Sequence, residues 1–102
     1  MGKVKEIFTK SRRLALLRFL ADGPGYELNT SILHSALDAI GLKGSRDAVE
    51  GECAWLEEQG LVEVEKIDGT TVVVARLTMR GLEVAQGQVH HPGVDKPRPP
   101  RF

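Results

Sequence analysis

The sequence is short of the features that assign a chain to a class at sight. It has one cysteine, Cys53, so no internal disulfide can form, and that usage fits a reducing compartment. No apolar run approaches the ~20 residues of a membrane-spanning helix. The basic opening MGKVKEIFTKSRR is not followed by the unbroken apolar stretch and small-residue cleavage site of a signal peptide. The expectation is a cytoplasmic protein with no membrane partner. Catalytic signatures are missing too. There is no nucleophile turn, no phosphate-cradling glycine loop and no metal motif, so neither an enzyme nor a cofactor is expected. His90 and His91 are adjacent rather than at helical spacing, His34 stands apart, and no Cys-x-Cys pair joins Cys53, which leaves no metal set. Net charge is absent as well, with 14 Lys and Arg against 14 Asp and Glu in 102 residues.

What is present is charge sorted into blocks. Residues 1–20 hold six bases and one acid, a net of +5; residues 21–75 hold three bases and eleven acids, a net of −8; residues 76–102 hold five bases and two acids, a net of +3. Where each block sits in the fold therefore matters more than the total. The length allows one domain, expected over 1–88, with a flexible, proline-rich basic tail over 89–102.

Apolar spacing predicts a first helix over 3–21, with Val4, Ile7, Phe8, Leu14, Leu17 and Leu20 recurring near the helical period. Asp22-Gly23-Pro24-Gly25 stops it. A short extended piece at Tyr26–Leu28 precedes a second helix, roughly 30–40, capped by Asn29 or Thr30 and striped by Ile32, Leu33, Ala36, Leu37 and Ile40. Gly41 and Gly44 bracket a tight turn whose glycines suit a positive φ. Ser45 caps a third helix, with Asp47 in its first turn, Val49, Cys53 and Leu56 inward, and Gly60 as its stop. LVEVEKI then alternates as a strand, Asp68-Gly69 signals a hairpin, and TTVVVARL returns as a second strand. Thr78 caps a fourth helix, roughly 79–87, with Leu82 and Ala85 inward. The fold class expected is mainly α with a small β-hairpin (α+β), in the order α-β-α-α-β-β-α.

From about Arg13 to Ala85 the chain resembles the MarR-like and ArsR-like winged helix-turn-helix regulators. The resemblance rests on RLALLRFL, the turn in LDAIGLKGSRDAV, the junction CAWLEEQGLVEV, and LTMRGLEVA after the second hairpin strand, where such families commonly read Leu-Thr, two residues, then Gly. The chain is also similar to small winged-helix proteins of Mu-like prophages, which often end in a proline-rich basic tail. The resemblance implies a DNA-binding transcription regulator, with the third helix reading double-stranded DNA.

Carried onto this sequence, that role falls on Ser45, Arg46, Asp47 and Glu50, with Arg46 suited to guanine. Lys43 and Lys66 of the flanking turn and hairpin, and Lys10, Arg12 and Arg13 of the first helix, are the phosphate-contact candidates. The tail bases Lys96, Arg98 and Arg101 read as solvated charge. A homodimer through the first and fourth helices is expected. Charge points elsewhere: from Ser45 to Gln59 there is one base, Arg46, against five acids, Asp47, Glu50, Glu52, Glu57 and Glu58. The alternative is a protein-interaction module whose acidic third helix meets a basic protein partner. Trp55 is expected to pack against the hairpin strands, Tyr26 beside the small strand, and Cys53 in the core.

Overall fold

The computed structural model describes residues 2–98. Helix α1 spans Lys3–Asp22, and a 3-10 turn follows at Pro24–Tyr26. Then come strand β1 (Glu27–Asn29), helices α2 (Thr30–Ala39) and α3 (Arg46–Glu58), strands β2 (Val62–Lys66) and β3 (Val73–Leu77), and helix α4 (Met79–Ala85). Among the described residues the architecture is α+β, with four α-helices and an antiparallel sheet in the order β1-β3-β2. This is compatible with a winged helix.

The helix starts follow their caps. Asn29 Oδ1 accepts from the Ile32 amide, Ser45 Oγ from Ala48 and Thr78 Oγ1 from Gly81. Each satisfies a donor that the first helical turn leaves unpaired. Gly41 and Gly60 have positive φ, 80° and 76°, and end α2 and α3 in the left-handed conformation that glycine tolerates. Gly44 does not share it; there the Arg12 guanidinium crowds the backbone, and a Cβ would lie 3.2 Å from Arg12 Cζ.

The core gathers Leu16, Leu17 and Leu20 of α1, Leu33 and Leu37 of α2, Val49, Cys53 and Leu56 of α3, and Leu61, Val62, Ala75 and Leu77 at the sheet. Three expectations of burial fail. Ile32 and Ile40 of α2 are half exposed, because a ten-residue helix seated by Leu33 and Leu37 buries only a narrow seam. Val4, Ile7 and Phe8 are exposed, since the first two turns of α1 run past the body of the domain. Tyr26 is exposed, with φ of 61°, at the bend between α1 and β1.

The Leu-Thr-x-x-Gly stretch is a joint. Thr78 donates its amide to the Leu61 carbonyl at 3.1 Å and its hydroxyl to the Gly60 carbonyl at 2.8 Å. A Cβ on Gly81 would overlap the Leu61 carbonyl oxygen. The end of α3 and the start of α4 are thus locked together at a glycine. Strand β3 starts three residues later than the run of β-branched residues suggests. Thr70 Oγ1 donates to the Ile67 carbonyl and accepts from the Val72 amide, which draws the chain into a loop over 67–72.

The segment after 88 is not free along its length. Val94 is buried in the core, Asp95 donates its amide to the Lys10 carbonyl at 3.2 Å, and Arg13 donates to the Gly93 carbonyl at 3.1 Å. One apolar side chain and two cross-chain bonds hold residues 91–95 against α1, so the expected flexibility does not extend to them. Lys96 and Arg98 are exposed; Arg101 lies outside the described residues.

Candidate functional site

Helix α3 has three kinds of surface. Val49, Cys53 and Leu56 face the core. Burial and the neighbouring Glu50 and Glu52 push the Cys53 thiol up to about 12, so it stays protonated and inert. Asp47, Ala54 and Glu58 face solvent. Glu52 and Trp55 face α1 and the C-terminal segment.

That third surface takes up two of the bases expected to hold phosphate. Arg13 Nε lies 2.8 Å from Glu52 Oε1, and Arg12 Nη1 lies 3.6 Å from Glu52 Oε2, with all three side chains largely shielded. Arg12 also donates to the Lys43 carbonyl at 3.0 Å. Arg13 stacks on Trp55, whose ring meets His91 edge-on, the centroids 5.3 Å apart. Trp55 therefore packs against Arg13 of α1 and against His91 and Gly93 of the C-terminal segment, contacts that the expectation of packing on the hairpin strands did not include. Gly93 is needed beneath it, since a Cβ there would come within 2.6 Å of the indole. His91 Nδ1 accepts from the Gly93 amide and Nε2 pairs with Gln59 Oε1, each at 3.0 Å, which specifies the neutral ring with its proton on Nε2. Burial, then Arg80, Arg13 and His90, lowers the His91 pKa in keeping with that form.

Arg12 and Arg13 thus clamp α1 to α3. Lys10 pairs with Glu6 one turn back at 3.4 Å. These three do not join Arg46. On an α-helix the six residues from Arg46 to Glu52 amount to about 600°, which places the two about a third of a turn apart. The clamp offsets one acid of α3, Glu52, with two arginines, while the Glu57 carboxylate keeps its charge and accepts from the Val64 amide at 2.9 Å, pinning α3 to β2. On the sheet, Arg76 gathers Glu27, Glu63 and Glu65.

Four of the expected site residues stay at the start of α3 or beside it. Ser45 serves as the cap and Asp47 is exposed in the first turn. Lys43 is exposed, 4.0 Å from Asp38. Arg46 donates to Ser31 Oγ at the start of α2. Together with Glu50 and Lys66, Arg46 lines a cleft of about 420 Å³ between α2, α3 and the β2–β3 hairpin, whose other polar walls are Asn29, Thr30, Ser31, Thr70 and Thr71. The cleft offers two cations, one carboxylate and a ring of hydroxyls.

No protein-family model matches the chain. The chain is 48% identical over 96 residues to the uncharacterized protein gp26 of Escherichia phage Mu, covering 94% of this chain and 97% of that one. It belongs to the family of phage Mu gp26. An uncharacterized protein of Haemophilus influenzae is 44% identical over 79 residues, covering 76% of this chain and 74% of its own.

Sequence reasoning did not foresee the hydroxyls of the cleft. Asn29-Thr30-Ser31 read only as a helix start, and Thr70-Thr71 only as hairpin tip and strand. Their one visible signal was two polar clusters at the ends of elements that an α-β-α-α-β-β order folds side by side.

Proposed function

We propose that this chain is a winged helix-turn-helix protein that binds double-stranded DNA, a phage or prophage transcription regulator acting in the cytoplasm. The observation that carries the reading is the cleft beside the start of α3, where Arg46 and Lys66 converge among hydroxyls. Hydroxyl and guanidinium donors are what hold phosphate oxygens, and an arginine in the first turn of the second helix of a helix-turn-helix is placed to reach a guanine edge. The pairing of Glu52 with Arg12 and Arg13 supports it further, since it takes one of the α3 acids out of play. The reading assigns Arg46 and Lys66 the DNA contacts, with Lys43 at the rim, and withdraws them from Lys10, Arg12 and Arg13. Glu50 in the same cleft keeps general affinity modest.

Fluorescence anisotropy of a labelled random duplex, titrated with the protein at ~50 and ~200 mM salt, tests this. Each phosphate neutralised contributes about −0.9 to the salt slope, so the Arg46→Ala/Lys66→Ala double variant should bind more weakly with a slope shallower by about 2. Unchanged binding by that variant, or none by the wild type at the lower salt, defeats the proposal. A second reading is supported by the exposed Asp47 and Glu58 with Glu50 nearby: a module that presents this acidic edge to a basic protein partner. It is favoured if DNA binding fails.

A further inference from the structure

The first turns of α1 carry Val4 and Ile7 at 76% and 62% exposure, with Phe8 beside them at 37%. The residues that continue this line along the helix are Ser11, Ala15, Arg18 and Asp22. The spacing from Val4 through Phe8, Ser11, Ala15 and Arg18 to Asp22 is 4, 3, 4, 3, 4, the period of a helix seam that packs on another helix. Over its second half the seam becomes a groove of about 320 Å³, lined by Ala15, Phe19 and Ile40 with Asp22 and Asp95 among its polar walls. Helix α4 buries Gly81, Val84 and Ala85 within the same chain and exposes Met79 alone among its large apolar side chains.

We infer that this outer face of α1 seats a second copy of the chain, the two α1 helices running antiparallel about a two-fold axis. The inference names the surface of a dimer and stands without the DNA-binding reading. The seam is self-complementary. With the axis midway between Ser11 and Ala15, Ser11 faces the partner copy's Ala15, and these small residues let the backbones approach closely. Phe8 then meets the partner's Arg18, a pairing of ring and guanidinium. Val4 lies over the end of the partner's α1, and the projecting turns enter the groove floored by Ala15, Phe19 and Ile40.

Charge agrees with this register. The projecting turns carry Lys3 and Lys5, and the end of α1 carries Asp22 with no base in its last turn. Lysines from the other copy would supply the positive charge that a helix C-terminus and its aspartate attract. A two-fold contact makes every such pairing twice.

Sedimentation equilibrium of the full chain from about 1 to 100 µM, without DNA, tests the inference. The wild type is expected to associate to a dimer, and Ile7→Glu/Phe8→Glu to weaken association by about a hundredfold or more, the equivalent of removing two buried apolar side chains. Ile7 is solvent-facing within the monomer, while Phe8 also lies beneath the Arg12 guanidinium, 5.7 Å from the ring centroid, so the single Ile7→Glu variant, with its circular dichroism unchanged, must weaken the dimer as well. A second pair guards against non-specific stickiness. Asp22→Lys and Lys5→Glu should each weaken the dimer, and the chain carrying both should recover it. A monomeric wild type at 100 µM, a dimer indifferent to Ile7→Glu/Phe8→Glu, or additive loss in the charge-swapped chain overturns the inference.

Discussion

Arg13 sits over the face of Trp55, its guanidinium carbon 3.6 Å from the ring centroid, while the same group bonds Glu52 and the Gly93 carbonyl. One side chain from the basic first block thereby ties together α1, α3 and the C-terminal segment. Arg13→Ala loses a charge-assisted bond, a stacking contact and a carbonyl bond at once. The expected cost is about 2–3 kcal/mol, a fall in Tm of roughly 10 °C or more for a domain of this size. Urea unfolding followed by Trp55 fluorescence measures it. Arg13→Lys should recover less than half, because an ammonium cannot serve a carboxylate, a ring and a carbonyl as a planar fork does.

Gly81 meets the Leu61 carbonyl oxygen so closely that Gly81→Ala must push α4 off the end of α3. The intrinsic helix preference of alanine predicts a gain, and packing predicts a loss. We expect packing to win by about 3 kcal/mol, the upper range for overpacked sites. A Gly81→Ala variant as stable as the wild type in thermal unfolding would show that the joint has more slack than the geometry allows.

Stability should fall on mild acidification through His91. Its pKa in the fold lies below the ordinary 6.5 because burial and the nearby Arg80 and Arg13 oppose its charge. The unfolded chain therefore takes up a proton that the folded chain resists. The contribution is complete above about 6.5, erodes as pH falls toward the lower folded value, and levels off beneath it. Protonation of Nδ1 also removes the acceptor of the Gly93 amide. His91→Gln should flatten the slope of unfolding free energy between pH 7 and 5.

Cys53 titrates the other way. The thiol is raised from 9.0 to about 12, so the fold keeps it neutral while the unfolded chain ionises it, and stability falls as pH climbs above 9 toward 12. At pH 8 a thiol-reactive disulfide reagent should label Cys53 no faster than the protein unfolds, and urea should accelerate labelling in step with loss of structure. Fast labelling of the native chain would place the thiol at the surface.

Much of the fold was legible because its signals are local. Asn29, Ser45 and Thr78 cap whatever helix follows them, and Gly41 and Gly60 end helices by a backbone conformation that needs no distant partner. Alternation in LVEVEKI marks a strand for the same reason. The candidate site was less legible. Arg12 and Arg13 read as free bases because nothing local showed that Glu52, some forty residues on, would meet them. The tail read as loose because its composition is polar and proline-rich, whereas Val94 finds a buried place only once α1 and α3 are assembled.

The sequence by itself determined the order of helices and strands, the caps and stops that bound them, and the sorting of charge into blocks. These depend on side chains within a turn or two of each other, where backbone geometry dictates who meets whom. Tertiary structure alone decided which charges are spent and which remain. Packing α1 across α3 consumes Arg12, Arg13 and Glu52 in one clamp, folding the hairpin beside α2 leaves Arg46 and Lys66 in a hydroxyl-lined cleft, and the extra length of α1 leaves Val4 and Ile7 without a cover. Whether a charge is neutralised depends on a partner a few ångströms away in space, and distance along the chain does not encode that.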